Sequence, residues 1–398
     1  MSNQSTKRNG RFVIIAVIII AVIGGGLGYQ MMTGNTRSMT SASNSVTMAS
    51  ATMAATTSAA PVSVLGAGAT FPAPLIQTWT VQYNKLYPAV TINYNPIGSG
   101  GGIQQITQKT VDFGASDAPL TDAQLTGAPG LLLMPETLGG VAVTYNLATY
   151  GIPNSTVLKF TGDVLAGIYM GDITKWNDPA IQALNPGVQL PNQPITAVHR
   201  SDGSGTTYAF TDFLSNVNAK WKSTVGTSTS VQWPVDKAAS GVGASGNAGV
   251  AGTTFNTPGA IGYVDVIYAV QKNLGVGTVK NQAGNYVAPT LDNILSAAAA
   301  STSTPNPSDL RVHIVNAPGA QSYPISTYTY ILVYKDMSTN PNTSQAKAIA
   351  LAKFLWWIVH DGQQYSNSLI YVKLPQNIVS ADEQLLKSLN YQGQALLS

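Results

Sequence analysis

The sequence predicts an α/β architecture in which helices cover largely parallel sheets. From Val62 onward, short runs with strand character alternate with amphipathic stretches, the pattern that helix-linked strands produce. Three glycine-rich turns each stand between a strand candidate and a helix candidate. Charge is scarce, with 20 basic and 17 acidic residues among 398, against 38 glycines and 22 prolines. At 44% apolar residues the chain nevertheless has the material for a packed core.

The elements follow in chain order. Strand candidates are residues 63–65, 91–94, 131–134, 141–145, 196–198 and 330–334. Residues 72–87 place Leu75, Ile76, Trp79, Tyr83, Leu86 and Tyr87 at helical spacing, with Pro72 where a first turn tolerates proline. Residues 206–221 do the same with Phe210, Phe213, Leu214, Val217 and Trp221. Residues 346–359 read as a mostly buried helix, and Ser380, three residues before Glu383, marks a capping box that opens another. The Gly/Ala/Ser-rich residues 238–252 read as a loop. No internal repeat is visible.

The amino-terminal region has a different character. Residues 12–29 carry no charge, are rich in Ile and Val, and follow the basic cluster Lys7, Arg8, Arg11. Eighteen such residues reach across a bilayer, which leaves residues 1–11 as a basic tail in the cytoplasm and the rest of the chain outside. A cleaved signal stays open beside this anchor, since Gly24 to Gly26 offer a small-residue site. Residues 30–61 read as a stalk. Ser and Thr make up 13 of the 29 residues from 33 to 61, with no aromatic and no acid, so the segment cannot bury enough apolar area to offset its ordering entropy.

Charge and cysteine narrow the function classes. The formal net charge is +3, but Lys7, Arg8, Arg11 and Arg37 precede the first acid, Asp112. From residue 38 onward 16 basic residues face 17 acidic ones, so a clustered basic face for nucleic acid is not expected. With no cysteine, disulfides, thiolate metal sites and a lipid-modified anchor are excluded. His199, His313 and His360 are spaced too widely for a metal-ligand pattern, and neither metal nor cofactor is expected.

The informative pattern is the repeated turn. Gly66-Ala67-Gly68-Ala69-Thr70-Phe71, Ile97-Gly98-Ser99-Gly100-Gly101-Gly102 and Arg200-Ser201-Asp202-Gly203-Ser204-Gly205-Thr206 each follow a strand candidate, carry a hydroxyl residue at the expected cap and lead into a helix. Free N–H groups and the positive end of the helix dipole make such a junction an anion site. One turn alone is ordinary punctuation in α/β folds; three together favour an oxyanion ligand. No Gly-Lys-Ser/Thr follows the glycines, so this is not a nucleotide P-loop.

Two ionisable residues sharpen the reading. After residue 37 the only arginines are Arg200 and Arg311, and Arg200 lies inside the third turn. Its planar fork suits bidentate oxyanion binding, with Asp202 placed to orient it. Asp117, in the run from Asp112 to Pro119, is either a helix cap or a ligand group. An ionised carboxylate only accepts, so beside an anion it requires one that still carries a proton. Phosphate does so at ordinary pH and sulfate does not, which makes Asp117 a means of discrimination.

At these residues the chain resembles the extracytoplasmic phosphate-binding protein family of phosphate-specific ABC transporters. Beyond the three turns, the matching words are Val111-Asp112-Phe113-Gly114-Ala115-Ser116-Asp117-Ala118-Pro119-Leu120 and Pro258-Gly259-Ala260-Ile261-Gly262-Tyr263-Val264, with an echo at Tyr323-Pro324-Ile325-Ser326. The resemblance implies a two-lobed periplasmic-binding-protein-like fold of the class II type that closes on a dehydrated phosphate. It implies ligand contacts at Thr70, Phe71 (through its N–H), Ser99, Asp117, Arg200, Ser204, Gly205 and Thr206, with Asp202 behind Arg200. Lobe I is expected from residues 62–138 plus 324–398 and lobe II from residues 139–323.

Gly100 stands where many relatives have a second serine, which puts a supporting hydrogen bond in doubt, and His199 is expected on a flanking surface. The resemblance further implies a monomer outside the membrane, tethered by its amino-terminal segment, that delivers phosphate to the transmembrane subunits of an ABC permease and is not an enzyme. The alternatives are a tethered phosphate receptor, a binder of another tetrahedral oxyanion such as sulfate, and a phosphate-ester-cleaving enzyme.

Overall fold

In the computed structural model, residues 60–301 and 309–397 are described. The expected basic tail, the apolar segment 12–29 and the stalk up to residue 59 lie outside them. Among the described residues no helix is long and apolar enough to cross a membrane.

Strand β1 (Val62–Gly68) pairs in parallel with β2 (Val90–Pro96) and β3 (Phe113–Ser116). The helices Ala73–Leu86 and Ser99–Thr107 return the chain between them, as parallel strands require. A long strand, β4 (Leu131–Tyr145), comes next. It is followed by a short β5 (Lys159–Phe160), then β6 (Thr196–Arg200), β7 (Gly241–Ala244) and β8 (Ala260–Asp265). Three short strands, β9 (Gly275–Val276), β10 (Thr278–Lys280) and β11 (Tyr286–Val287), precede β12 (Ser326–Tyr334).

The main sheet runs β2-β1-β3-β12-β4-β8-β6-β7, with β9 also paired to β4. The fold is two-lobed because β4 serves two partners in succession. Its residues from Leu131 to Gly140 run antiparallel to β12, and those from Val141 to Tyr145 run antiparallel to β8. The sheet is therefore mixed, where largely parallel sheets were expected. In the second lobe β6 pairs in parallel with β7 and β8. Trp79, Tyr83, Phe113, Tyr169, Phe210 and Trp221 are buried in one continuous hydrophobic core.

Several expectations are corrected. Residues 131–134 and 141–145 belong to one strand, because Pro135 is accommodated at a register shift opposite Thr329 and Tyr330. Asn218 divides the expected 206–221 helix into Gly205–Val217 and Ala219–Thr224, its side chain accepting from Trp221 N–H at 2.8 Å. Residues 238–252 are not a loop: Gly241–Ala244 joins the sheet edge and Gly246–Asn256 is helical. Ser380 and Glu383 lie inside a helix, Gln376–Lys387, which begins after Pro375. Of the three turns, only the third has a hydroxyl cap, Ser204 accepting from Thr207 N–H at 3.0 Å. Pro72 and Gly98 occupy the other two cap positions, without side-chain capping bonds.

Candidate functional site

Thr70, Asp117 and Arg200 lie at or just beyond the carboxyl ends of β1, β3 and β6. Ligands in open α/β sheets bind at that edge. The structure brings all the expected site residues together, and Thr70, Phe71, Ser99, Asp117, Arg200, Ser204 and Thr206 are all buried.

The first turn is held from behind by tyrosines. Tyr94 donates to the Ala69 carbonyl at 2.7 Å, Tyr268 to the Thr70 carbonyl at 2.6 Å and Tyr371 to the Phe71 carbonyl at 2.6 Å. In a trans peptide the C=O and the following N–H point in opposite directions. Gripping the Ala69 and Thr70 carbonyls therefore turns the N–H groups of Thr70 and Phe71 away from the tyrosines. Among the described residues those two N–H groups have no acceptor, an arrangement that buried backbone donors rarely adopt without a partner to serve. The Thr70 hydroxyl oxygen accepts from Asn247 N–H at 3.1 Å and from its side-chain amide at 3.0 Å, leaving the hydroxyl proton to donate.

The second and third turns meet across the cleft. Ser99 Oγ accepts from Gly205 N–H at 3.0 Å and from Asp117 N–H at 3.3 Å. Gly100 N–H donates to the Gly203 carbonyl at 2.9 Å. The Thr206 hydroxyl donates to Asp117 Oδ2 at 3.3 Å, so this conformation is a closed one. Gly98, at φ +89°, has a positive φ that favours glycine, and a Cβ there would lie 2.3 Å from Asp202 Oδ2.

Arg200 is the site's cation. Its Nε and Nη2 donate to Asp202 Oδ1 and Oδ2 at 2.7 and 2.5 Å, so Asp202 orients the fork as expected but takes its bidentate edge, leaving Nη1 to face the cleft. Asp202 is held further by Gly246 N–H at 3.0 Å. Burial works against the Asp202 charge, but the bonds to Arg200 hold its carboxyl below the usual range. Nη1 of Arg200 reaches Thr206 Oγ1 at 3.4 Å.

Asp117 does not cap a helix; the helix after it, Asp122–Gly127, is capped by Thr121. Its carboxylate receives Thr206 on one oxygen and Thr329 on the other, at 3.3 and 3.4 Å. Burial pushes this carboxyl up to about 7, while Arg200 and the two threonines oppose the shift. The cleft thus offers N–H and O–H donors, one guanidinium and one carboxyl acceptor. That set suits a tetrahedral oxyanion bearing a proton. A cavity of about 370 Å³ opens beside Thr70, lined in part by Pro74, Gln77, Gly246 and Tyr268. Among the described residues no group of acidic or histidine side chains is arranged to hold a metal ion.

A model of the PBP superfamily domain matches residues 54–361. The phosphate-binding protein PstS of Xylella fastidiosa is 43% identical over 322 residues, which is 81% of this chain and 84% of that protein. The chain belongs to the PstS family. A PstS of Methanocaldococcus jannaschii is 37% identical over 324 residues, covering 78% of this chain and 82% of its own. Among solved structures, a phosphate-binding protein from Stenotrophomonas maltophilia superposes with a TM-score of 0.61 at 19% identity, over 80% of this chain and 92% of that one. At that identity the likeness concerns the fold.

Against the PstS resemblance, His199 is the departure that the structure corrects. Expected on a flanking surface, it is buried, stacked on Trp233 at 4.9 Å with Nε2 2.8 Å from Asp236 Oδ1. Sequence reasoning missed Tyr94, Tyr268, Tyr371, Asn247, Thr329 and Glu136. Asn247 left one signal, as the sole amide side chain within the Gly/Ala/Ser-rich residues 238–252. The tyrosines act on the turn from sequence distances of 25 to 300 residues, beyond any local pattern.

Proposed function

We propose that this chain binds inorganic phosphate outside the cytoplasmic membrane and delivers it to an ABC-type permease by opening and closing its cleft. The observation that carries this reading is the buried carboxyl of Asp117 on the same cleft as the Arg200 fork. A cation alone would serve any oxyanion. An added acceptor favours one that retains a proton, and the names of the PstS relatives point the same way.

In this reading the anion accepts from the N–H groups of Thr70 and Phe71, the hydroxyls of Thr70, Ser99 and Ser204, the N–H of Thr206, and Arg200, while the Thr206 hydroxyl turns its one proton from Asp117 to the anion on binding. Gly205 N–H is shared between Ser99 Oγ and the anion, a three-centre arrangement common at helix ends. Asp117 accepts the phosphate proton, and Asp202 keeps the Arg200 fork in plane. Thr70, Phe71, Ser99 and Asp117 belong to lobe I, taken as residues 62–138 plus 324–398; Arg200 to Thr206 belong to lobe II, residues 139–323. A ligand that contacts both lobes stabilises the closed state by its differential contacts. Hydrogen bonds to a charged partner contribute on the order of 1.5 to 3 kcal/mol each.

The protein is read as a monomeric binding protein rather than an enzyme, tethered through its amino-terminal segment. Calorimetric titration of the purified protein with inorganic phosphate tests the central reading. Saturable one-to-one binding is expected, and absence of binding would contradict it. Delivery is tested separately, by phosphate-dependent stimulation of the ATPase of the co-expressed permease.

A further inference from the structure

We propose that Glu136 is a proton-bearing positioning residue of the phosphate site, acting on Asp117 through the hydroxyl of Thr329. The inference rests on the phosphate reading above and extends it to a residue that does not touch the ligand.

Backbone register places Glu136 there. In the β4–β12 ladder Thr329 pairs with Thr137 and Tyr330 pairs with Pro135, so Glu136 is the extra residue of a β-bulge. A bulge re-aims one side chain at the cost of local pairing, and such features recur beside functional sites. Here the re-aimed side chain is fully buried, 0% exposed, on a strand that crosses between the lobes. Its Oε1 lies 3.1 Å from Thr329 Oγ1, and the same hydroxyl lies 3.4 Å from Asp117 Oδ1. Among the described residues its Oε2 has no hydrogen-bond partner.

Proton counting then gives the chain a direction. Thr329 has one hydroxyl proton and stands between two carboxyl groups. With both ionised it could serve only one, and the other would be left charged and poorly solvated beside a like charge. With a proton on Glu136, that O–H donates to Thr329 Oγ1, and Thr329 donates to Asp117 Oδ1. Asp117 is then supported as a carboxylate while Oδ2, which faces Thr206, is left to receive the ligand proton. The unpartnered Oε2 is consistent with a neutral acid, for which an unpaired oxygen costs far less than a buried charge.

The surroundings favour the same state. Burial pushes the Glu136 carboxyl up to about 8, Thr329 opposing and Asp117 adding to the shift. The ionisable groups facing the pair are Tyr94 from β2, with Asp265, Tyr268, Tyr371 and Arg200 around Asp117. Arg200, the cation among them, is already paired with Asp202.

The test compares wild type, Glu136→Gln and Glu136→Met in phosphate and sulfate titrations from pH 6 to pH 9. A glutamine amide keeps a donor toward Thr329 but cannot ionise. Its phosphate affinity should match wild type at pH 6 and exceed it by about fivefold at pH 9, where wild-type Glu136 loses its proton. Methionine removes the donor, and should cost about tenfold in phosphate affinity near pH 7.5, between the Asp117 and Glu136 values, with a parallel fall in the phosphate-to-sulfate ratio. Glutamine keeps the side-chain volume, so it carries the test should the methionine variant fail to fold. A Gln-to-wild-type affinity ratio that stays flat across pH would overturn the proposal while leaving the phosphate reading intact. Wild-type protein that binds no phosphate would overturn both.

Discussion

A Cβ atom built on Gly205 would lie 2.5 Å from the Cβ of Asp117, on the opposite side of the cleft. The third turn can approach this closely only because that position has no side chain. Gly205→Ala should therefore obstruct closure without disturbing the hydrophobic core. Phosphate affinity is expected to fall at least tenfold, on the order of 1.4 kcal/mol, while the melting temperature of the ligand-free protein stays within a few degrees of wild type. Unchanged affinity would mean that the productive closed state differs from this one.

Arg200→Lys tests the guanidinium fork. Lysine keeps the charge but cannot bond Asp202 through two parallel N–H groups and still face the ligand. With Asp202 no longer satisfied and the cation no longer fixed, phosphate binding should weaken on the order of 10- to 100-fold, equivalent to 1.4 to 2.8 kcal/mol. Titration calorimetry measures it. A loss below twofold would assign the turn's binding to backbone donors alone.

The ligand-free protein should be more stable in mild acid than at neutral pH. Asp117 and Glu136 are raised to about 7 and about 8 in the folded state, in both cases chiefly by burial. Asp265 and Asp382 are also raised well above the usual carboxyl range by burial. The folded state thus holds protons that the unfolded chain releases near pH 4, and stability declines as pH rises from there through the folded values. Asp202 and Asp309, held low with their arginine partners, act in the opposite sense, and only in more acidic solution. Thermal unfolding without phosphate should give a higher midpoint at pH 5 than at pH 8, by several degrees. A higher midpoint at pH 8 would show that these carboxyls are ionised in the fold.

Local chemistry made much of this legible in advance. The helix at residues 72–87 was readable because Leu75, Ile76, Trp79 and Tyr83 recur on one face, and the face they mark is the buried one. Arg200 with Asp202, two residues apart, was readable because the pairing is local. Residues 238–252 were not, because glycine, alanine and serine have no periodic apolar signal. There the neighbouring β6 and the cleft determine the conformation. The 131–145 strand looked interrupted because Pro135 and Glu136 are poor strand residues, and its continuity depends on β12, nearly 200 residues later. Glu136 itself was silent: a lone acid within an apolar stretch signals nothing until the bulge turns it toward Asp117.

The most direct measurement of the central claim is the phosphate-to-sulfate affinity ratio of wild type and Asp117→Asn, titrated side by side near pH 7.5, where Asp117 is ionised and phosphate still carries a proton. If Asp117 accepts the phosphate proton, wild type should prefer phosphate by at least about 100-fold, as loss of a charged hydrogen bond and repulsion would require. In the variant, whose amide can donate to sulfate, that preference should collapse on the order of tenfold or more. An unchanged ratio, or wild-type protein that binds sulfate as tightly as phosphate, would contradict the account.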